Sequence, residues 1–325
     1  EPIPFAAASI GQIHRAVLND GTRVVVKIIK ADFEASFKRD VRRMKRWIRM
    51  SLFFNPRLRK VGNPIGLLAH IEDYTLRELN LTNEIDGQNQ LIAKAGEIEQ
   101  HFPMPKLKFP RMWDELSNQH VLVMEEITHP TLETRLEGKT LNWTNMLELF
   151  RIHGAFMFGI GTFHGDLHPG NAMMNDEGDF FFIDTGAICN APPHVRNALF
   201  GFFYFLAKGE LKHAFDAMLT MAAVQPTGAT LQTYYDSMNE LYDGFVGTSV
   251  SEVSLTEQMM KTVKAAVLAG CSFGEEAFPI IRSLMYMDGM VLKGHPEVDL
   301  ISSMGPYLDE FSVLIDPYSI ISPEK

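Results

Sequence analysis

The stretch His164-Gly165-Asp166-Leu167-His168-Pro169-Gly170-Asn171 constrains this chain most, together with Asp184-Thr185-Gly186 behind the apolar run Phe180-Phe181-Phe182-Ile183. Met173-Met174-Asn175 and Phe180 to Ile183 flank Asp176-Glu177-Gly178-Asp179, which reads as a hairpin. That hairpin is expected to carry Asp184 back to a point facing Asn171. Asp166 would accept or orient the proton of an attacking hydroxyl. Asn171 offers a neutral amide oxygen and Asp184 a carboxylate, the ligands a hard cation such as Mg²⁺ wants. Any one of these residues suits an ordinary polar turn. That bland reading fits the whole constellation poorly.

The 325 residues suffice for one large two-lobed domain or two medium ones. With 46% hydrophobic and 22% charged residues, a packed globule is expected. The net charge of -10 argues against general nucleic-acid binding, which needs a basic footprint. Cys189 and Cys271 give neither a disulfide framework nor metal spacing. The longest apolar run, Ala198 to Ala207, is about half the ~20 residues of a spanning helix, so no transmembrane segment is expected. The opening Glu1-Pro2-Ile3-Pro4-Phe5 is neither a signal nor a transit peptide, and the chain reads as cut from a longer polypeptide.

Ile13 to Leu18 reads as a strand, Asn19-Asp20-Gly21 as a turn and the β-branched Arg23 to Ile29 as its partner strand. A strand with Val-x-Lys after a loop, strand and turn is the nucleotide-lobe layout of kinases, where the lysine holds the α/β-phosphates. Lys27 takes that place. Alone it would read as a solvent-facing strand lysine. The preceding loop carries Ala6, Ala7, Ala8 and Ser9 where kinases place glycines that let backbone amides approach phosphate. The alanines read as a phosphate-facing loop, or else as a small-residue start to the strand.

From Phe33 to Phe54, Lys38, Arg39, Arg42, Arg43, Lys45, Arg46 and Arg49 interleave with Phe37, Val41, Met44, Trp47 and Ile48 at helical spacing. Such a helix can lie on an anionic membrane, although a wet face packed on the lobe is the commoner meaning. Ile71 to Ala95 reads as one long helix. A kinase needs one glutamate there to pair with the strand lysine; Glu84 is preferred and Glu78 is second. His120 to Ile127 reads as a strand ending in a linker, where the Glu125 and Ile127 backbone would hold an adenine edge and Met124 would back the pocket. Leu141 to Gly159 reads as helix leading into the catalytic stretch, and another helix begins near Val195, leaving little room for a long activation loop. The rest alternates helical stretches with Gly and Pro breaks.

Together these residues resemble the UbiB-like atypical kinase family, also called aarF-domain-containing kinases. Phe5 to Gln12 is similar to that family's alanine loop, and Gln12-x-His14-Arg15-Ala16, Val24 to Lys27, the Glu78 to Glu84 helix, His164 to Asn171 and Asp184-x-Gly186 follow in its order. The resemblance covers about residues 2 to 315. The catalytic loop is less specific, being shared with aminoglycoside and choline phosphotransferases. Three departures stand out. The family's Lys-x-Gly-Gln helix would lie upstream of Glu1. The family's Glu-x-Asp reads Glu78-Leu79-Asn80, and Thr185 stands where an aromatic is usual.

The resemblance implies an α+β, bilobal protein-kinase-like fold, with a small β-rich lobe plus added helices (1–127) and a mainly helical lobe (128–325). It implies ATP and Mg²⁺ as cofactors, with Asp166, Lys27 and Glu84 catalytic and Asn171 and Asp184 on the metal. Ala6, Ala7, Ala8, Ser9, Lys27, Glu125 and Ile127 would bind nucleotide. It implies support of ubiquinone or other isoprenoid-lipid metabolism in mitochondria, plastids or bacterial membranes. An isoprenoid lipid or quinone precursor, peripheral membrane contact and a lipid-biosynthesis complex are the implied partners. A small-molecule phosphotransferase of aminoglycoside or choline type, and a nucleotide-gated scaffold without useful turnover, are the alternatives.

Overall fold

The structure is a computed structural model that describes all residues except 8–10, 31–32, 55–64, 66–67, 70–71, 73–74, 77–78, 275–277 and 322–325. Its contacts divide the chain into two compact units. The first comprises Glu1–Gln90, Phe109–Thr128 and Asp184–Ala187, the second Leu91–Lys108, His129–Ile183 and Ile188–Lys325.

The first unit is built on an antiparallel sheet of β1 (Ala6–Ala7), β2 (Gly11–Val17), β3 (Arg23–Ile29) and β5 (Val121–Glu125), in the order β1-β2-β3-β5. The expected hairpin forms. Asp20 accepts from the Thr22 amide at 2.9 Å, and Gly21 takes φ 89°, which only glycine adopts without strain. β3 is an inner strand, with Lys27 opposite Ile13 on one side and Leu122 on the other. Its Val24 packs with Trp113 and Val123 into a small core. The segment after β5 is clamped by Glu126, which takes Arg15 at 2.7 Å and Arg23 at 2.9 Å. Burial, the larger influence, pushes the Glu126 carboxyl up, and the guanidiniums outweigh it and hold it low.

Helix α1 (Phe33–Phe54) forms as expected. Val41 and Leu52 are buried, while Arg39, Arg42, Arg43, Arg46 and Arg49 face outward beside exposed Met44, Trp47 and Met50. Its lysines are spent locally, Lys38 on Glu34 and Lys45 on Glu72.

The long helix expected over 71–95 is not continuous. Leu79 and Asn80 lie in a turn, and α2 (Thr82–Ile98) starts afresh. The cause is local. Asn80 Oδ1 accepts from the Thr82 amide at 3.2 Å and the Thr82 hydroxyl at 2.8 Å, a side-chain cap that competes with a through-running helix.

In the second unit, β4 (Leu107–Lys108), β8 (Phe180–Phe182) and β7 (Ala172–Met174) form one sheet, and β6 (Thr162–His164) pairs with β9 (Ile188–Asn190). Helix α3 (Leu132–Glu137) props the β7–β8 hairpin: Arg135 donates to the Met174 carbonyl and to Asp176. Helix α4 (Trp143–Gly154), capped by Asn142, does not run on to Gly159 as an α-helix. It passes into a π-helical turn over Ala155–Ile160. That turn packs Phe158 against Phe200, Phe203 and Phe311 and delivers the chain into β6.

The rest is helical: α5 (Pro193–Ala207), α6 (Leu211–Thr220), α7 (Ala229–Tyr242), α8 (Leu255–Leu268), α9 (Phe278–Gly294), α10 (Leu300–Phe311) and α11 (Pro317–Ile321). Among the described residues no helix is long and apolar enough to cross a membrane.

Candidate active site

Lys27 is buried, although a lysine on a β-branched strand would ordinarily face water. Its Nζ lies 2.7 Å from Glu84 Oε2 and 3.2 Å from Asp184 Oδ2. Glu84 sits in the first turn of α2, where a carboxylate also suits the positive end of the helix. The cap at Asn80 sets that helix start, and so places Glu84. Burial, the largest single influence, pulls the Lys27 ammonium down; the Asp184 and Glu84 charges together outweigh it and hold it above the usual lysine range. Lys27 therefore stays cationic at neutral pH.

The loop bearing Asp184 is tied to the same helix. The Thr185 side chain is fully buried, and its hydroxyl donates to the Glu84 carbonyl at 2.7 Å. An aromatic in its place would have no such hydroxyl to donate. At Gly186 a Cβ would stand 3.3 Å from Glu84 Cγ, so a side chain would crowd the carboxylate that holds Lys27.

In the second unit the stretch after β6 coils on itself. The Asp166 amide donates to His164 Nδ1 at 3.2 Å, the His168 amide to the Asp166 carbonyl at 2.7 Å and the Asn171 amide to the His168 carbonyl at 2.8 Å. Asn171 Nδ2 donates to the Asp166 carbonyl at 2.9 Å and to Asp166 Oδ2 at 3.3 Å. With its NH₂ group spent in this way, Asn171 has its amide oxygen to offer a cation. That oxygen is a donor of the kind a hard divalent ion takes. Among the described residues no group of three or more His, Cys, Asp and Glu side chains is placed to hold a metal. Mg²⁺ does not need one, because water and phosphate oxygens complete its shell. The β7–β8 hairpin ends with the Ile183 amide on the Asn171 carbonyl at 3.1 Å, immediately before Asp184.

The remaining expected positions are less uniform. Ala6 and Ala7 pair with Ile13 and Gln12 in β1, the strand start that their small side chains also allowed. Ala8, Ser9 and Glu78 lie outside the described residues. The Glu125 amide is spent on the Arg111 carbonyl at 2.8 Å, so only its carbonyl could serve an adenine edge. Ile127 lies in the irregular segment after β5, and Met124 is buried.

Three contacts had no clear signal in the sequence. Thr185 anchors the loop, Glu126 clamps the segment after β5, and Arg282 of α9 donates to the Gly165 carbonyl at 2.7 and 3.1 Å. For Arg282 the partner lies 117 residues away, beyond the reach of any motif.

Comparison with known proteins speaks to the family and the fold. The family model described as ABC1 atypical kinase-like domain matches residues 1–218. An uncharacterized protein of Synechocystis is 23% identical over 96% of this chain and 55% of its own length. "Probable protein kinase UbiB" of Sodalis glossinidius is 24% identical over 95% of this chain and 56% of its own, and its namesake in Pasteurella multocida 23% over 94% and 60%. The chain thus spans somewhat over half the length of these relatives. The structure of the Rv3197–erythromycin complex from Mycobacterium tuberculosis superposes with a TM-score of 0.61 at 18% identity, covering 99% of this chain and 78% of that one, a likeness of fold. The fold is kinase-like and mixed α+β, and the chain belongs to the UbiB-like family of ABC1 atypical kinase-like domains.

Proposed function

We propose that the protein is a magnesium-dependent, ATP-using phosphotransferase or ATPase that supports ubiquinone or other isoprenoid-lipid metabolism. The observation that carries this reading is the buried Lys27–Glu84 ion pair with Asp184 on the same ammonium. Kinase chemistry requires the strand lysine and the helix glutamate to be paired. A buried cation held so firmly would otherwise be a costly way to stabilise a fold.

In this reading residues 1–127 form the nucleotide lobe and 128–325 the catalytic lobe. Lys27 meets the α/β-phosphates, the Glu125 carbonyl and the Ile127 amide meet the adenine edge, and Asp166 takes the acceptor proton. Asn171 and Asp184 would hold magnesium, which supplies positive charge to the β- and γ-phosphate oxygens when bound. The exposed arginines of α1 give the protein a peripheral grip on an anionic membrane, where an isoprenoid lipid or quinone precursor would be met.

Turnover of ATP by the purified protein, with magnesium and with chelator, tests the reading. Lys27→Met and Asp166→Asn should each cost about 100-fold or more. Full turnover in both variants would point to a contaminating activity, and no turnover by the wild type to a nucleotide-gated scaffold.

A further inference from the structure

One face of α9, outside residues 1–218 matched to the family, is laid against the catalytic stretch of its own unit. Arg282 grips the Gly165 carbonyl with Nε and one terminal nitrogen. The next residue, Ser283, bonds the buried His153 at 2.5 Å. One helical turn beyond Arg282, the Tyr286 ring meets His168 edge-on, with centroids 5.7 Å apart and planes at 86°. Residues at i and i+4 share a stripe, so the anchor at Arg282 fixes where Tyr286 points. The two contacts straddle Asp166, and so set the Tyr286 ring beside it. Burial first, and then the neighbouring Asp166, push the phenol up to about 12, so it keeps its proton at neutral pH.

A protonated hydroxyl beside the base is the position an acceptor alcohol must reach before it attacks phosphorus. We propose that Tyr286 fills the acceptor seat at Asp166 and so decides which hydroxyl compounds the enzyme can phosphorylate. The inference rests on Asp166 acting as the base. An acceptor must displace the phenol or be shaped to slip beside it. Small alcohols that merely diffuse in find the place beside the carboxylate already filled. When the seat is cleared, a phenol of the same shape as the missing side chain should take it. The bond from the γ-phosphorus to the ADP oxygen then breaks and one to the phenol oxygen forms. The phenolic proton passes to Asp166, and ADP leaves.

The test offers p-cresol, the tyrosine side chain as a free molecule, to the protein with magnesium and γ-labelled ATP. Tyr286→Ala should form cresyl phosphate about tenfold or more faster than the wild type, and adding Asp166→Asn should abolish it. Tyr286→Phe keeps the ring on His168 and loses only the hydroxyl. It should raise total phosphate release severalfold, which keeps the test decisive if the alanine variant fails to fold. Wild-type behaviour of the folded Tyr286 variants in both assays, with Asp166→Asn still inactive, overturns the seat and leaves the base intact. An active Asp166→Asn enzyme removes the base, and the seat with it.

Discussion

The Thr185 hydroxyl donates to the Glu84 backbone carbonyl at 2.7 Å inside the protein. The bond joins the Asp184-Thr185-Gly186 loop to the first turn of α2, so the two carboxylates on Lys27 are held by one connected piece of backbone. Thr185→Val keeps the shape and deletes the donor, so the loop loses its bond to the Glu84 carbonyl. The expected loss is about 0.5–1.5 kcal/mol of unfolding free energy, read by urea denaturation. A loss below about 0.5 kcal/mol, the level of an ordinary surface substitution, would show that the tie is not needed.

His153 predicts an acid limit to stability. Its ring is fully buried against Phe163, its Nε2 meets the Ser283 hydroxyl and its Nδ1 has no hydrogen-bond partner among the described residues. Burial, and next the nearby His164, drop it from 6.5 to about 3. Below the ordinary histidine value the unfolded chain takes up a proton that the folded one refuses, so stability falls with acidity. Between neutral pH and pH ~5 the wild type should lose about 2 kcal/mol through this residue. His153→Gln should flatten that limb in thermal or urea unfolding followed against pH. An unchanged slope would assign the acid loss to other groups.

The membrane reading of α1 rests on outward arginines beside Trp47, which is 65% exposed. Each basic residue near an anionic surface contributes about 1 kcal/mol. Reversing Arg42, Arg43 and Arg46 to Glu should therefore weaken co-sedimentation with phosphatidylserine vesicles by at least about tenfold. Equal sedimentation of the variant would leave α1 as a solvated face.

The parts of this site that are local in sequence could be read from it. The β-branched run fixed β3 and the place of Lys27, and the turn at Asn19-Asp20-Gly21 fixed its partner strand. The choice of Glu84 needed the helix phase, which the break at Asn80 decides; a side-chain cap reads in sequence like any polar helix residue. Thr185 looked like a departure from a pattern because the hydroxyl's partner is a backbone carbonyl 101 residues earlier. Tyr286 was invisible for the same reason. Its helix shows only an amphipathic repeat, and nothing local marks which turn meets Asp166.

The central claim is that Lys27, Glu84 and Asp184 serve a magnesium nucleotide. Its most direct measurement is the melting temperature of wild type and Asp184→Asn across a titration of ATP, with magnesium and with chelator. Ligand at about 100 times its dissociation constant should stabilise the wild type by about 2.7 kcal/mol in magnesium and far less in chelator. Asp184→Asn should lose the magnesium-dependent part. A wild type whose melting temperature ignores Mg-ATP, or an Asp184→Asn variant that responds just as the wild type does, would contradict the account.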